Sequence, residues 1–389
     1  MWFSAPRRRN HFRPDRSGDV VRIGLSIGSA YYDGSDWDSV VELVRVADRA
    51  GVEFAWSAEA WGMESVAPLA YLAAVTERIT LGTGIMQISA RTAAMTAMTA
   101  LTMARLTNDR FALGLGVSGP QVVEGLHGVP FAHPLGRLRE YVAVVKQAIA
   151  GERIAHQGVH IVLPRPGGEG KALRLSMPPK PDLPIYLATL GPKSLEFTGE
   201  AADGWLGTSF IPEAADDVIG HIRTGAARSG RSMAEIDLQV GVTIEIEDDV
   251  DAVIERHRPR LAFTLGAMGS SETNFYNAAY SRAGWADVAR DVQTKWVAGD
   301  REGAVRAVPD ELVLASALIG NEDMVRDRIR AHAEAGITTL RLSPSGRDLR
   351  AKIANLERSI AVIESVNGPV VRVAATLMDP PPRSDGGGR

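Results

Sequence analysis

Eight short β-rich runs alternate with helical stretches between residues 21 and 344, and this alternation constrains the fold more than any other feature of the sequence. Strands separated by helices predict a parallel sheet with crossover helices. Eight such strands are the number that closes a (β/α)8 barrel, the TIM barrel, and a doubly wound open sheet is the alternative architecture. The runs cover residues 21–28, 54–59, 79–87, 111–118, 185–189, 204–210, 238–246 and 338–344.

The connections between these runs predict the domain organisation. The stretch DSVVELVRVADRAG has apolar residues at helical spacing and ends on Gly51, which predicts a helix. An insertion follows the fourth strand, at about 119–184, and contains a predicted helix and a hairpin that turns near Gln157. A second, irregular excursion of about 258–307 separates strands seven and eight. We expect one barrel domain over 21–366, between a disordered leader (1–20) and a disordered tail (367–389).

Composition and charge exclude several classes of function. A net charge of −4 gives no reason to expect nucleic acid or an acidic membrane surface as a partner. The absence of cysteine excludes disulfides, thiolate nucleophiles and zinc–thiolate sites. No apolar run is long enough to span a bilayer, and the basic N-terminal residues are not followed by an apolar segment. The sequence therefore predicts a cytoplasmic protein without a membrane partner.

The segment GLGVSG, residues 114–119, matches the glycine fingerprint of a dinucleotide-binding loop. That fingerprint has its meaning where it opens the helix of a first βαβ unit. Here it lies on the fourth strand and is followed by Pro120, without the long helix that a dinucleotide-binding unit needs. The segment does not predict a dinucleotide-binding site.

The ends of the predicted strands, where barrel enzymes place their chemistry, are poor in acids, bases and nucleophiles. None of the six lysines lies in a predicted strand, which argues against a Schiff-base enzyme, and no histidine lies at a strand end to bind a metal. The strand ends GTGIMQ, GLGVSGP and TLGPKS are rich in glycine instead. Gly191 and Pro192 open a predicted helix and so predict an anion site at its N-terminus. Such a protein would rely on a cofactor for its chemistry, with no metal.

Three segments closely resemble the luciferase-like flavin and deazaflavin oxidoreductases. They are LGTGIMQISARTAAMTAMTALTMARL, LGLGVSGPQVVEGLHGVPFAHPLGRLREY and IYLATLGPKSLEFTGEAADGW, and the resemblance extends over about residues 21–366. Within this family they are similar to the deazaflavin (coenzyme F-420) branch, which includes methylenetetrahydromethanopterin reductase. The resemblance implies coenzyme F-420 as the cofactor, with FMN as the alternative. It also implies a homodimer, because a partner subunit would cover the helix TAAMTAMTALTMARL, which is small and apolar nearly all round.

The resemblance also assigns residues to the coenzyme ring. Glu59, at the end of the second strand, matches an acidic residue beside the deazaflavin and is the catalytic candidate. Gly84 and Ile85 match a bulge with a non-proline cis peptide bond that supports the ring. Ser118 and Gly119 match the edge of the pocket at the fourth strand.

A second group of residues matches the segment that holds the coenzyme phosphate at a helix N-terminus, namely Thr189, Gly191, Pro192 and Lys193. Trp61 and Arg91 are candidates for contact with the substrate. Trp61 could equally be a packing residue, and Arg91 could be a surface charge or could bind an anionic group of the substrate or the coenzyme.

One departure from the family bears on the reaction. Members that oxidise sugar phosphates or secondary alcohols have a histidine after the acid of strand two and usually a glutamate just past strand four. This chain has Ala60 and Gly119-Pro120 at those places. We therefore expect hydride transfer to or from a small organic molecule, with reduction of an activated double bond favoured over alcohol oxidation. The alternatives are an FMN-dependent monooxygenase and a non-catalytic deazaflavin-binding protein.

Overall fold

Eight parallel strands close into a barrel in the computed structural model, which describes residues 21–28, 36–269 and 273–368. In chain order the strands are β1 (Arg22–Ser26), β2 (Phe54–Ser57), β3 (Thr80–Thr83), β4 (Met86–Gln87), β5 (Phe111–Gly116), β6 (His156–Gln157), β7 (Val162–Leu163), β8 (Ile185–Ala188), β9 (Gly204–Gly207), β10 (Asp237–Ile246), β11 (Leu318–Gly320) and β12 (Thr339–Pro344). The barrel runs β1-β2-β3-β5-β8-β9-β10-β12, and β12 pairs with β1 to close it. The predicted TIM barrel is confirmed, and the closed ladder excludes the open sheet.

Helices surround the barrel. They are α1 (Trp37–Ala50), α2 (Val66–Ala73), α3 (Ala93–Leu106), α4 (Pro120–Val123), α5 (Pro134–Ile149), α6 (Pro192–Ala201), α7 (Ala215–Arg228), α8 (Val250–Ala267), α9 (Phe275–Tyr280), α10 (Ala286–Val297), α11 (Arg301–Arg306), α12 (Asp310–Ser316), α13 (Glu322–Glu334) and α14 (Leu349–Asn367). The predicted helix α1 is capped at its N-terminus by Asp36, whose side chain accepts a hydrogen bond from Ser39 N at 2.7 Å. It ends at Gly51, which has the left-handed conformation (φ 84°) that favours glycine.

Two apolar layers form because side chains alternate across each strand. The outward side chains pack against the helices in the main core, as Leu113 and Leu115 of β5 do. The inward layer is a smaller cluster of aromatic and small residues: Phe54, Trp56, Ala112, Tyr186 and Leu206. Since Trp56 and Tyr186 fill the interior, the barrel is a packed core and a ligand has to bind at its mouth.

The insertion after the fourth barrel strand contains α4, α5 and the predicted hairpin, formed by β6 and β7 in antiparallel pairing. Glu140 of α5 fixes the turn of this hairpin. Its carboxylate accepts hydrogen bonds from the main-chain N–H groups of Val159, His160 and Ile161 at 2.7–2.8 Å. The insertion is therefore an ordered part of the described structure.

The excursion between the last two barrel strands was predicted to be irregular, but in the structure it is largely helical. Its described residues form α8 to α11, which share a second apolar core that includes Leu265, Val292 and Ala304. Periodicity was hard to detect because Pro259 lies inside α8 and the helices that follow are short. The short strand β11 was also not predicted, and it extends the sheet by pairing with the end of β10.

The ends of the described chain bear on the predicted boundaries. The leader (1–20) and the part of the tail beyond Gly368 lie outside the described residues. Asn367, placed in the tail by prediction, is the last residue of α14, and its side chain exchanges two hydrogen bonds with the main chain of Val21 at 2.9 and 3.0 Å. Among the helices that the structure describes, none has the length and apolar character needed to cross a membrane.

Candidate functional site

The residues predicted to hold the coenzyme follow four consecutive strands of the barrel. Glu59 follows β2, Gly84 and Ile85 lie between β3 and β4, Ser118 follows β5, and Gly191 follows β8. Because these strands are neighbours in the sheet and run parallel, their carboxyl ends meet along one half of the barrel mouth. The sheet order thus brings together segments that are far apart in the sequence.

The Glu59 carboxylate is buried and accepts four hydrogen bonds. Oε1 accepts from Gln87 N at 2.8 Å and from Arg91 Nη1 at 2.7 Å. Oε2 accepts from the main-chain N–H and the hydroxyl of Ser65 at 3.2 and 3.0 Å. A carboxylate has about four lone-pair positions, so those of Glu59 are engaged by the protein. This arrangement fixes the position of the side chain.

Arg91 is held between two carboxylates and is not a free surface charge. Its second guanidinium nitrogen donates to Glu64 at 3.0 Å, and 20% of its side chain is exposed. Its carbonyl oxygen accepts from the Tyr141 hydroxyl at 3.2 Å. Burial raises the pKa of Tyr141 to about 12, so this phenol remains a neutral donor. Trp61, the other substrate candidate, is 56% exposed on the loop after β2.

A bulge separates β3 from β4. Gly82 pairs with Ala112 and Met86 with Leu115, so this strand advances by four residues where β5 advances by three. The peptide bond between Gly84 and Ile85 is cis, as the resemblance implied. Glu59 N donates to Ile85 O at 3.3 Å, which ties the bulge to the acidic residue.

The wall beside the bulge leaves no room for side chains. Thr83 Oγ1 donates to Gly114 O and accepts from Gly114 N, at 2.8 and 2.9 Å. A Cβ atom at Gly114 would lie 1.9 Å from Thr83 O. At the end of β5, Ser118 takes a left-handed conformation (φ 60°), and a Cβ atom at Gly119 would have only Gln121 Oε1 near it, at 3.9 Å. The main chain is accessible at that edge.

The segment predicted to bind phosphate is the start of α6. Gly191 is its N-cap residue and Pro192 follows, and no side chain caps the N–H groups there. A Cβ atom at Gly191 would have only Ser194 Oγ near it, at 3.6 Å. The Thr189 hydroxyl is directed away, into a hydrogen bond of 2.7 Å with the Thr198 hydroxyl. Lys193 is exposed, and its ammonium group donates a hydrogen bond to Glu196 at 3.0 Å. The group that Lys193 contributes at the start of α6 is therefore its main-chain N–H rather than its ammonium group.

Arg282, which sequence reasoning did not find, comes from the excursion and reaches this segment. Its Nη2 donates to Leu190 O at 2.6 Å, and its Nε donates to Asp217 at 2.9 Å. The guanidinium therefore joins the excursion to the start of α6. No sequence pattern marks it, because Leu190 is 92 positions away.

The base of the barrel interior contains an ion pair between Arg22 and Asp237. Asp237, which is buried, contacts Arg22 and accepts from the Tyr186 hydroxyl at 2.8 Å and from Gln239 Nε2 at 2.7 Å. Burial alone would raise the pKa of Asp237, but the Arg22 guanidinium and these hydrogen bonds lower it. This pair joins β1 to β10 at the base of the barrel.

A second interior arginine, Arg341 of β12, lies nearer the mouth. Its Nη2 donates to Gly207 O at 2.6 Å, and the residue is 7% exposed. Burial lowers the pKa of Arg341 to about 10, which leaves the guanidinium protonated at neutral pH. The described chain contains no group of three histidine, aspartate or glutamate side chains placed to hold a metal ion.

Comparison with known proteins places this geometry in a family. A family model described as luciferase-like monooxygenase matches residues 22–339. A putative coenzyme F-420-dependent oxidoreductase of Mycobacterium tuberculosis is 37% identical over 345 residues, which cover 86% of this chain and 99% of that protein. The 5,10-methylenetetrahydromethanopterin reductase of Methanopyrus kandleri is 27% identical, over 79% of this chain and 90% of that protein.

A solved structure agrees in fold. The coenzyme F-420-dependent tetrahydromethanopterin reductase from Methanopyrus kandleri has a TM-score of 0.73 at 24% sequence identity, over 88% of this chain and 99% of that one. The family match covers most of the barrel, from β1 to the first residue of β12. The chain belongs to the luciferase-like monooxygenase family.

Proposed function

We propose that the chain is an oxidoreductase that uses coenzyme F-420 to transfer a hydride to or from a small organic substrate. The observation that carries this proposal is the 37% identity to a protein named a putative coenzyme F-420-dependent oxidoreductase, over nearly the full length of both. The solved tetrahydromethanopterin reductase that shares the fold is described as coenzyme F-420-dependent, which supports the same cofactor. An FMN-dependent monooxygenase is the second candidate, because the family model is described as a monooxygenase.

The described residues fit such a coenzyme. A flat ring needs accessible main chain, and Gly119 leaves the edge of β5 open. A phosphate needs N–H groups at the positive end of a helix, and the uncapped start of α6 after Gly191 supplies them. The resemblance alone favours the deazaflavin over FMN, since both carry a flat ring and a phosphate.

We propose a positioning role for the Glu59 network. When bound, the deazaflavin would supply or accept the hydride. The hydrogen bonds to Ser65, Gln87 and Arg91 hold the Glu59 carboxylate in one place beside the bulge. A proton transfer by this carboxylate would require one of these bonds to break. Glu59 is therefore better suited to fixing the position of the bulge and of its own carboxylate than to acting as a general base.

The same half of the mouth favours reduction over alcohol oxidation. Alcohol oxidation needs a base to accept the hydroxyl proton, and histidine is the usual residue. Ala60 follows Glu59 in place of that histidine, and Gly119-Pro120 follow β5 in place of the glutamate that alcohol-oxidising members of the family usually have there. Reduction of a double bond that is activated by a neighbouring carbonyl needs less help from a base. We therefore propose an activated double bond as the acceptor.

A fluorescence titration of the purified full chain tests the cofactor assignment. We expect coenzyme F-420 to bind at low micromolar concentration or tighter, roughly 8 kcal/mol of binding free energy, and FMN to bind much more weakly. Tight binding of FMN together with no binding of coenzyme F-420 would reverse the ranking. Turnover with a panel of enones, imines and alcohols then separates an enzyme from a non-catalytic binding protein.

We propose that the enzyme acts as a cytoplasmic homodimer. Apolar side chains that are about half exposed lie on α2 and α3: Tyr71, Met95, Met98 and Leu106. Exposed apolar side chains on two neighbouring helices are typical of a protein–protein interface. The other face of α3 packs into the main core through Ala97 and Leu101, so a second copy would cover what the barrel leaves open.

A further inference from the structure

The inward side chains of β10 and β12 change from buried to accessible at the level of Arg341. Gln239 and Thr339 are fully buried, whereas Thr243 and Ser343, four residues farther along each strand, are partly exposed. Arg341 lies between these levels. Because inward positions recur at every second residue, this guanidinium forms part of the floor of the mouth.

Glycine residues make room for this guanidinium. A Cβ atom at Gly24 would lie 3.2 Å from Arg341 Cγ, and one at Gly241 would lie 3.2 Å from Arg341 Nη2. Gly24 and Gly241 are the register partners of Arg341 on the two neighbouring strands. The side chain therefore lies over the main chain of β10 and reaches the last residue of β9, Gly207.

The guanidinium of Arg341 has no direct ion pair with a described carboxylate. Nη2 donates to a main-chain carbonyl, and the buried Nε has no hydrogen-bond partner among the described residues. The nearest compensating charge is Asp237, which lies below and raises the pKa of Arg341 against the lowering by burial, but this carboxylate is itself engaged by Arg22 and Tyr186. A buried cation is costly unless an anion or hydrogen-bond acceptors compensate it. Its retention at the floor of a mouth points to a ligand that supplies the compensation.

The position of Arg341 separates it from the predicted coenzyme residues. Those residues follow β2, β3, β5 and β8, whereas Arg341 and its contacts belong to β12, β1, β10 and β9. The two groups occupy opposite halves of the barrel. A planar guanidinium binds a carboxylate through paired, charge-assisted hydrogen bonds.

We propose that Arg341 is the binding group for a carboxylate on the substrate. The reaction that this substrate undergoes rests on the proposed function. The binding of the carboxylate by Arg341 does not depend on it. In the assembled site the carboxylate lies against the floor at β9, β10 and β12. This places the rest of the substrate toward the half of the mouth that Glu59 and the bulge occupy.

Isothermal titration calorimetry with cinnamate and cinnamamide tests this proposal. The two probes share a carbon skeleton and differ in charge, and each is titrated into the full chain with and without oxidised coenzyme F-420. We expect the unchanged chain to bind cinnamate at least about tenfold more tightly than cinnamamide in one or both conditions. Arg341→Met should remove this preference, and Arg341→Lys should keep part of it. The control Ser343→Ala alters the same wall without touching a charge and should leave the preference intact.

The outcomes separate this inference from the proposed function. Equal affinity for the two probes in both conditions overturns the carboxylate site, as does a preference that survives in folded Arg341→Met. If Arg341→Met does not fold, Arg341→Lys decides: it keeps the charge but loses the planar donors, and an unchanged preference overturns the proposal. A carboxylate preference in a chain that binds no coenzyme F-420 refutes the proposed cofactor and leaves the role of Arg341 standing.

Discussion

The ion pair between Arg91 and Glu59 can be tested through the replacement Arg91→Met. The change keeps most of the aliphatic length but removes the charge that contacts Glu59 Oε1 at 2.7 Å. Glu59 would keep its bonds from Ser65 and Gln87 and would stay buried, with 6% of its side chain exposed. Breaking a fully buried pair costs about 3–5 kcal/mol, and an exposed pair contributes about 0–1 kcal/mol. Because Arg91 is 20% exposed, we expect the free energy of unfolding to fall by about 2 kcal/mol.

Urea unfolding at fixed protein concentration measures this loss, within a double-mutant cycle that includes Glu59→Gln. A coupled pair predicts that the double variant loses less than the sum of the single losses, by about 1 kcal/mol or more. The matched control is Arg49→Met, whose pair with Glu42 is exposed (64% and 42%) and should contribute less than about 1 kcal/mol. Single losses that simply add, or equal losses for Arg91→Met and Arg49→Met, would refute the reasoning.

Three further predictions concern the phosphate segment, acid stability and assembly. Gly191→Val should weaken coenzyme binding by about tenfold or more in a fluorescence titration, because a side chain would cover the start of α6. The control Gly220→Val, on α7, should leave the affinity unchanged. Unchanged affinity in a folded Gly191→Val variant would place the phosphate elsewhere. Burial lowers the pKa of His332 to about 4, so its neutral form stabilises the fold above about pH 6.5 and this contribution is lost as the pH falls. Between about pH 7.5 and about pH 5, urea unfolding should therefore show a loss about 2 kcal/mol larger in the unchanged chain than in His332→Phe; equal losses would contradict the assignment. Met98→Asp should convert the proposed dimer to a monomer in light scattering, and a persistent dimer would show that α3 is not the interface.

Most of the barrel could be predicted because its strands combine β-prone runs with clear glycine boundaries. The run at 79–87 was predicted as one strand, and the structure divides it into β3 and β4. Periodicity does not reveal a bulge, because one extra residue on one strand shows only against the register of its neighbour. The cis bond at Gly84 and Ile85 was available from the resemblance alone. The helices of the excursion were missed because local sequence patterns indicate short helices weakly, and tertiary packing of Leu265 and Val292 holds these helices in place.

The candidate site could be predicted where main-chain groups form it, and less well where side chains from distant parts of the sequence meet. Glycine and proline at 191 and 192 mark a helix start in any context, and the structure has one there. The alternatives for Arg91 could not be separated, since its partner Glu59 lies 32 positions away. Arg341 did leave a signal: Thr339, Arg341 and Ser343 alternate with leucines in TTLRLSP, which places the polar residues on the inner face. That alternation was interpreted only as evidence for a strand.

The close contact between Thr83 and Gly114 determines which positions a mutagenesis library for a new substrate range should include. Every side chain added at Gly114 meets the carbonyl of Thr83, which is main chain and cannot rotate away. At Gly116 the nearest obstacle is the end of the Ile85 side chain, at 2.9 Å, which has other rotamers available. In a library that randomises β5, the variants with a side chain at position 114 will therefore misfold, whatever their activity. Randomisation is better directed at Thr243 and Ser343, whose side chains are already partly exposed. Their replacement leaves the pairing of β3 with β5 intact.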